Sequence, residues 1–134
     1  MKVLIVDDAA PVRARLGAML AEVPGVAAVV EAGTYGLAVE VLCAWAPDIV
    51  VLDLHLGSVS GLGILSIAKR DRPGALLIVM TSHPTPRHRR QCLALGADYF
   101  LDKSKDFERI MQILVAASGP TGPTDRPTNE RRRR

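Results

Sequence analysis

Four apolar runs in this 134-residue sequence each give way to residues that can handle charge. Asp7-Asp8 closes "KVLIV", Asp53 closes "DIVVL", Thr81-Ser82 closes "ALLIVM", and Lys103 follows "DYFLD". A carboxylate at the end of a buried strand is costly unless something compensates it. Three carboxylates packed together raise one another's pKa unless a cation sits among them. An oxygen-only donor set, with no His or Cys cluster, favours a hard ion such as Mg²⁺. The Thr81 hydroxyl and the Lys103 ammonium then look like partners for an anion. Metal, carboxylate, hydroxyl and ammonium together suit phosphoryl transfer, in which charge builds on the equatorial phosphoryl oxygens. Each group also has a plainer reading. Asp7-Asp8 can cap a helix, Asp53 can sit in a turn, Thr81 can end a strand with no ligand, and Lys103 can lie in solvent. Their shared place at strand ends weighs against those readings.

The elements that must position these groups read as alternating strands and helices. Apolar runs at 2–6, 27–32, 48–53, 75–80 and 98–102 are the strand candidates, with segments of helical character between them and after the last. Val12, Leu16, Met19, Leu20 and Val23 recur at three- and four-residue steps, as do Phe107, Ile110, Met111, Leu114 and Val115. Pro11 suits a first helical turn, and Gly96 suits a helix end. Gly63 inside the third helix weakens it by ~1 kcal/mol relative to Ala. Five βα units with short connectors imply an α/β fold, a single doubly wound domain with helices on both faces of a parallel sheet. Ligands of such sheets bind beyond the carboxyl ends of the strands, where the four polar positions fall together.

Composition narrows the classes. Hydrophobic residues make up 49% of the chain, enough for a core, and the five aromatics leave that core mainly aliphatic. Residues 1–118 hold twelve Lys/Arg and twelve Asp/Glu, so the net charge of +3 comes wholly from the tail "GPTGPTDRPTNERRRR". The folded part is thus no basic nucleic-acid binder. The tail, 119–134, is expected to be flexible, basic and accessory, since four clustered arginines give only weak, salt-sensitive attraction. No apolar run approaches the ~18 residues of a membrane span, and the chain is expected to be soluble and cytoplasmic. Cys43 and Cys92 suit reduced core thiols.

The segments "LIVDD", "DIVVLDLHL…SGL", "IVMTS" and "GADYFLDKS" resemble the receiver domain of two-component response regulators, the family of the bacterial chemotaxis regulators, over residues 1–118. The resemblance implies a flavodoxin-like (βα)5 fold with strand order 2-1-3-4-5. It implies that Asp53 accepts a phosphoryl group from a histidine kinase or phosphotransfer protein. It also implies that Asp7, Asp8, Asp53 and the backbone carbonyl of His55 hold Mg²⁺, and that Lys103 pairs with a phosphoryl oxygen as a point charge. Thr81 would move toward the phosphoryl group, and Phe100 would turn inward as the switch aromatic. His55 and His83, each two residues past a site residue, would tune dephosphorylation. The face formed by the fourth helix, fifth strand and fifth helix would meet a target protein, with homodimerisation a further option. Enzymatic activity is expected to go no further than weak self-catalysed transfer and hydrolysis.

Two departures stand out. Ser104 replaces the proline usual after the Lys, where a cis bond would cost ~2.5–4 kcal/mol, and Gly57 replaces a common proline, which is expected to loosen the loop after Asp53. They favour one rival, a degenerate receiver that binds partners without phosphorylation. Nothing after residue 118 is long enough for an output domain, so a stand-alone receiver is expected, and a DNA-binding regulator lacking its output domain is the less favoured alternative. An aspartate-nucleophile phosphatase would want a second Asp where His55 stands. A flavin module would want a hydroxyl- and Gly-rich phosphate loop in place of the acidic "DDAAPVR".

Overall fold

The computed structural model describes residues 1–117. Chain order runs β1 (Lys2–Val6), α1 (Ala10–Leu20), β2 (Ala28–Ala32), α2 (Tyr35–Trp45), β3 (Ile49–Asp53), β4 (His55–Leu56), β5 (Val59–Ser60), α3 (Leu62–Asp71), β6 (Leu76–Thr81), α4 (Pro86–Ala94), β7 (Tyr99–Asp102) and α5 (Phe107–Ala117). Five strands form one parallel sheet in the order β2-β1-β3-β6-β7, the flavodoxin-like order expected once the short β4–β5 pair is set aside. No helix among the described residues is long and apolar enough to cross a membrane.

Strand alternation divides the core. Leu4, Val6, Val50, Leu52, Leu77, Val79 and Phe100 face α2, α3 and α4. Val3, Ile5, Ile49, Val51, Leu76, Ile78, Met80 and Leu101 face α1 and α5. Successive side chains on a strand point to opposite faces, so a sheet covered on both sides needs continuous apolar runs. β3 and β6 meet that requirement, being buried at every position. Register then aligns the carboxyl ends: Asp53 lies opposite Met80, and Thr81 opposite Asp102.

Local details bear on three expectations. Val115 is 55% exposed, and Ile113 and Ala117 take its place on the buried face of α5. Cys43 is exposed, and only Cys92 is a core thiol, with burial pushing its pKa up to about 11. Gly57 sits in a defined turn. It has φ +62° and makes the turn between β4 and β5, at the position where a two-residue hairpin favours glycine. The tail expected from residue 119 lies outside the described residues.

Candidate functional site

Asp7 and Asp8 follow β1, and each is fixed by a backbone donor. Asp7 Oδ1 accepts the Ala9 N–H at 2.8 Å, and Asp8 Oδ2 accepts the Gly57 N–H at 2.9 Å. A proline at 57 has no N–H to offer Asp8. Arg13, one turn into α1, donates to the Asp7 carbonyl at 2.6 Å and pairs with Glu31 at 3.1 Å. Gly33 leaves room for that guanidinium, since a Cβ there would stand 2.9 Å from Nη1. Asp53 ends β3, and its Oδ1 accepts the His55 N–H at 3.1 Å. A Cβ at Gly61 would come within 2.7 Å of the Asp53 carbonyl, so the chain passes this close only as glycine.

Carboxylate oxygens of Asp7, Asp8 and Asp53 all lie within 4.8 Å of one another. Lys103 reaches in from beyond β7, its Nζ 2.6 Å from Asp7 Oδ2 and 3.0 Å from Asp53 Oδ2. Its own N–H donates to the Thr81 carbonyl at 2.8 Å, tying β7's end to β6's. Burial raises the Asp53 pKa, and the nearby Asp7 charge adds to that; the His55 N–H and Lys103 oppose the rise without cancelling it. Burial alone would depress Lys103, but its bonds to Asp7 and Asp53 outweigh burial and leave its pKa raised. Three carboxylates against one ammonium leave a negative excess in a donor set of oxygens alone. These residues fit a hard divalent cation.

Asp8, Asp53, His55, His83 and Lys103 line one cleft of about 570 Å³, together with Gly57, Ser82 and His88. Asp7 lies fully buried beneath it. Thr81 is also buried, and its hydroxyl accepts the His83 N–H at 3.2 Å. Phe100 stands apart from this cleft. Its ring is 9% exposed, already packed inward, and borders a second groove with Arg89, Leu93, Tyr99 and Arg109. No cis peptide occurs among the described residues, so Lys103–Ser104 is trans. Ser104 instead anchors its loop by giving both its N–H and its hydroxyl to Asp102 Oδ1, at 2.9 and 2.8 Å.

Sequence reasoning missed His88 and the Gly57 N–H. His88 lies in the first turn of α4. Its spatial neighbour is His55, whose ring centroid is 5.6 Å away.

Residues 3–115 match the response regulator receiver domain family. The nitrate/nitrite response regulator NarP of Escherichia coli is 30% identical over 117 residues, covering 87% of this chain and 54% of that protein. A protein-glutamate methylesterase/protein-glutamine glutaminase of Xanthomonas campestris is 33% identical over 96% of this chain and 39% of its own length. The chain thus spans about half or less of these curated relatives. Among solved structures, a response regulator of Burkholderia pseudomallei with a phosphorylated aspartic acid and a calcium ion is 28% identical, with TM-score 0.73 over 90% of this chain and 69% of that one. The beryllofluoride-activated NtrC4 receiver domain dimer is 26% identical, with TM-score 0.76 over 87% and 94%.

Proposed function

The chain belongs to the response regulator receiver family, and from that premise we propose that it is a signalling switch whose Asp53 accepts a phosphoryl group from a histidine kinase or a phosphotransfer protein. The observation that carries this reading is the convergence of Asp7, Asp8, Asp53 and Lys103 on one cleft at the carboxyl edge of the sheet.

Asp53 acts as the nucleophile. An oxygen of its carboxylate bonds to phosphorus while the nitrogen–phosphorus bond of the donor breaks, its electron pair staying on the imidazole. Lys103, already 3.0 Å from Asp53 Oδ2, binds a phosphoryl oxygen as charge develops there. Asp7, Asp8, Asp53 and the His55 carbonyl would hold Mg²⁺, which, when bound, supplies positive charge to the phosphoryl oxygens. Thr81 gives up its contact with the His83 N–H and turns its hydroxyl toward the phosphoryl group. His55 and His83, at the cleft mouth, set how long the phosphoryl group persists.

Phosphorylation adds about −1.5 to −2 of charge and biases a population between two packings. Because Phe100 is already inward in this structure, the signature is an outward excursion of its ring that phosphorylation suppresses. The output surface is the groove between α4, β7 and α5, whose Arg89 and Arg109 suit a protein target. The same face serves a homodimer if one forms, and the reading places the protein in the cytoplasm.

Incubation with Mg²⁺ and acetyl phosphate, read by intact mass, tests the proposal. One added phosphoryl group that is absent from Asp53→Ala supports it. A wild-type protein of unchanged mass points to the degenerate receiver instead.

A further inference from the structure

We infer that His88, on α4, is a positioning residue for loss of the phosphoryl group: it holds the His55 imidazole across the mouth of the Asp53 cleft. The inference rests on the reading of Asp53 as acceptor and adds a residue that reading does not use.

The two rings meet edge to face, with centroids 5.6 Å apart and planes at 72°. Both line the cleft that also exposes Asp53 and Lys103. The backbone of His55 is fixed, by its N–H on Asp53 Oδ1 and by pairing with Ser60 across the hairpin. Its exposed imidazole makes no hydrogen bond among the described residues, so the contact with His88 is what orients it. His88 is placed firmly. Pro86 stiffens the first turn of α4, and the capping Thr85 hydroxyl accepts the His88 N–H at 3.1 Å.

The choice of histidine at 88 has a cost. Its Nδ1 is buried with no hydrogen-bond partner among the described residues, which an apolar side chain of similar size would avoid. What the ring offers in return is its edge-on contact with His55. A ring pair of this kind biases the orientation of an otherwise free side chain by about two- to tenfold.

Hydrolysis needs a water whose oxygen bonds to phosphorus as the bond from phosphorus to the Asp53 oxygen breaks. The electron pair of that bond stays on the carboxylate, and the water's proton passes to solvent. The floor of the site is taken up by Asp7 and the Lys103 ammonium, so the water enters from the mouth. A His55 ring held there excludes it. His88 therefore lengthens the lifetime of the phosphorylated protein.

The test loads wild type, His88→Ala, His55→Ala and the double variant with acetyl phosphate and Mg²⁺, removes the donor, and follows the phosphorylated fraction by intact mass. His88→Ala is expected to lose the group about two- to tenfold faster than wild type, the range set by the ring contact. In the His55→Ala background the same substitution leaves the rate unchanged. His88→Phe, which keeps an edge-on ring, restores the wild-type rate. His88→Leu keeps α4 packed and reproduces the alanine result should His88→Ala fold poorly. Decay at the wild-type rate in both His88→Ala and His88→Leu, or equal acceleration with and without His55, overturns the inference. A wild-type protein that takes up no phosphoryl group overturns the acceptor reading as well, so the two failures are told apart.

Discussion

Asp53 sits 5% exposed beside a second buried acid, and its raised pKa means the folded protein binds that proton more tightly than the unfolded chain does. Ionised Asp53 therefore subtracts from stability above its folded pKa. The loss fades as pH falls and is gone below the ordinary value of 3.8. In the absence of divalent ions, Asp53→Asn is expected to raise Tm at pH 7 by about 2–5 °C, with a gap that narrows toward acid pH. Scanning calorimetry across pH checks both sign and trend. His55→Asn and His83→Ala are each expected to change the decay rate of the phosphorylated protein, and unchanged decay in both removes them from that role. The acids and Lys103 were legible in the sequence because each interrupts or follows an apolar run. His88 was not, because its partner comes from another element, and the rotation of α4 that joins them cannot be read from spacing along one helix.

Among the elements, Gly63 is the clearest case where packing outranks propensity. Helix propensity alone makes Gly63→Ala stabilising by ~1 kcal/mol. In the structure a Cβ at 63 would collide with the Tyr35 hydroxyl, from the first turn of α2. Gly63→Ala is therefore expected to destabilise by about 1–3 kcal/mol, and Tyr35→Phe in the same chain to recover part of that loss. Urea unfolding of the two variants decides the sign. The five main strands were readable because each is an apolar run of strand length, and sheets buried on both faces demand such runs. The β4–β5 hairpin was not, since its strands have two residues each and only Leu56 is buried. Gly57 was its one signal, and its role emerged only with the Asp8 contact. Val115 and Cys43 misled because an apolar residue at helical spacing can still fall just outside the stripe that is covered.

For the whole molecule, parallel topology does most of the positioning. Strands that share a direction bring their last residues to one edge, so Asp7, Asp8, Asp53 and Lys103 meet although they lie up to 96 positions apart in the sequence. That much followed from counting strands, whereas the second groove behind Phe100 depends on how α4 and α5 flank β7. Ending the chain after residue 118 is expected to leave loading from acetyl phosphate intact, and a large drop would give the basic tail a part in the chemistry. The central claim is best tested by finding where the phosphoryl group sits. Protein loaded with acetyl phosphate and Mg²⁺ is reduced with borohydride, which turns a phosphorylated aspartate into homoserine, then digested and mapped by mass spectrometry. Homoserine at position 53 alone is the expected result; homoserine at Asp7 or Asp8, or none on a chain that had gained mass, would contradict it.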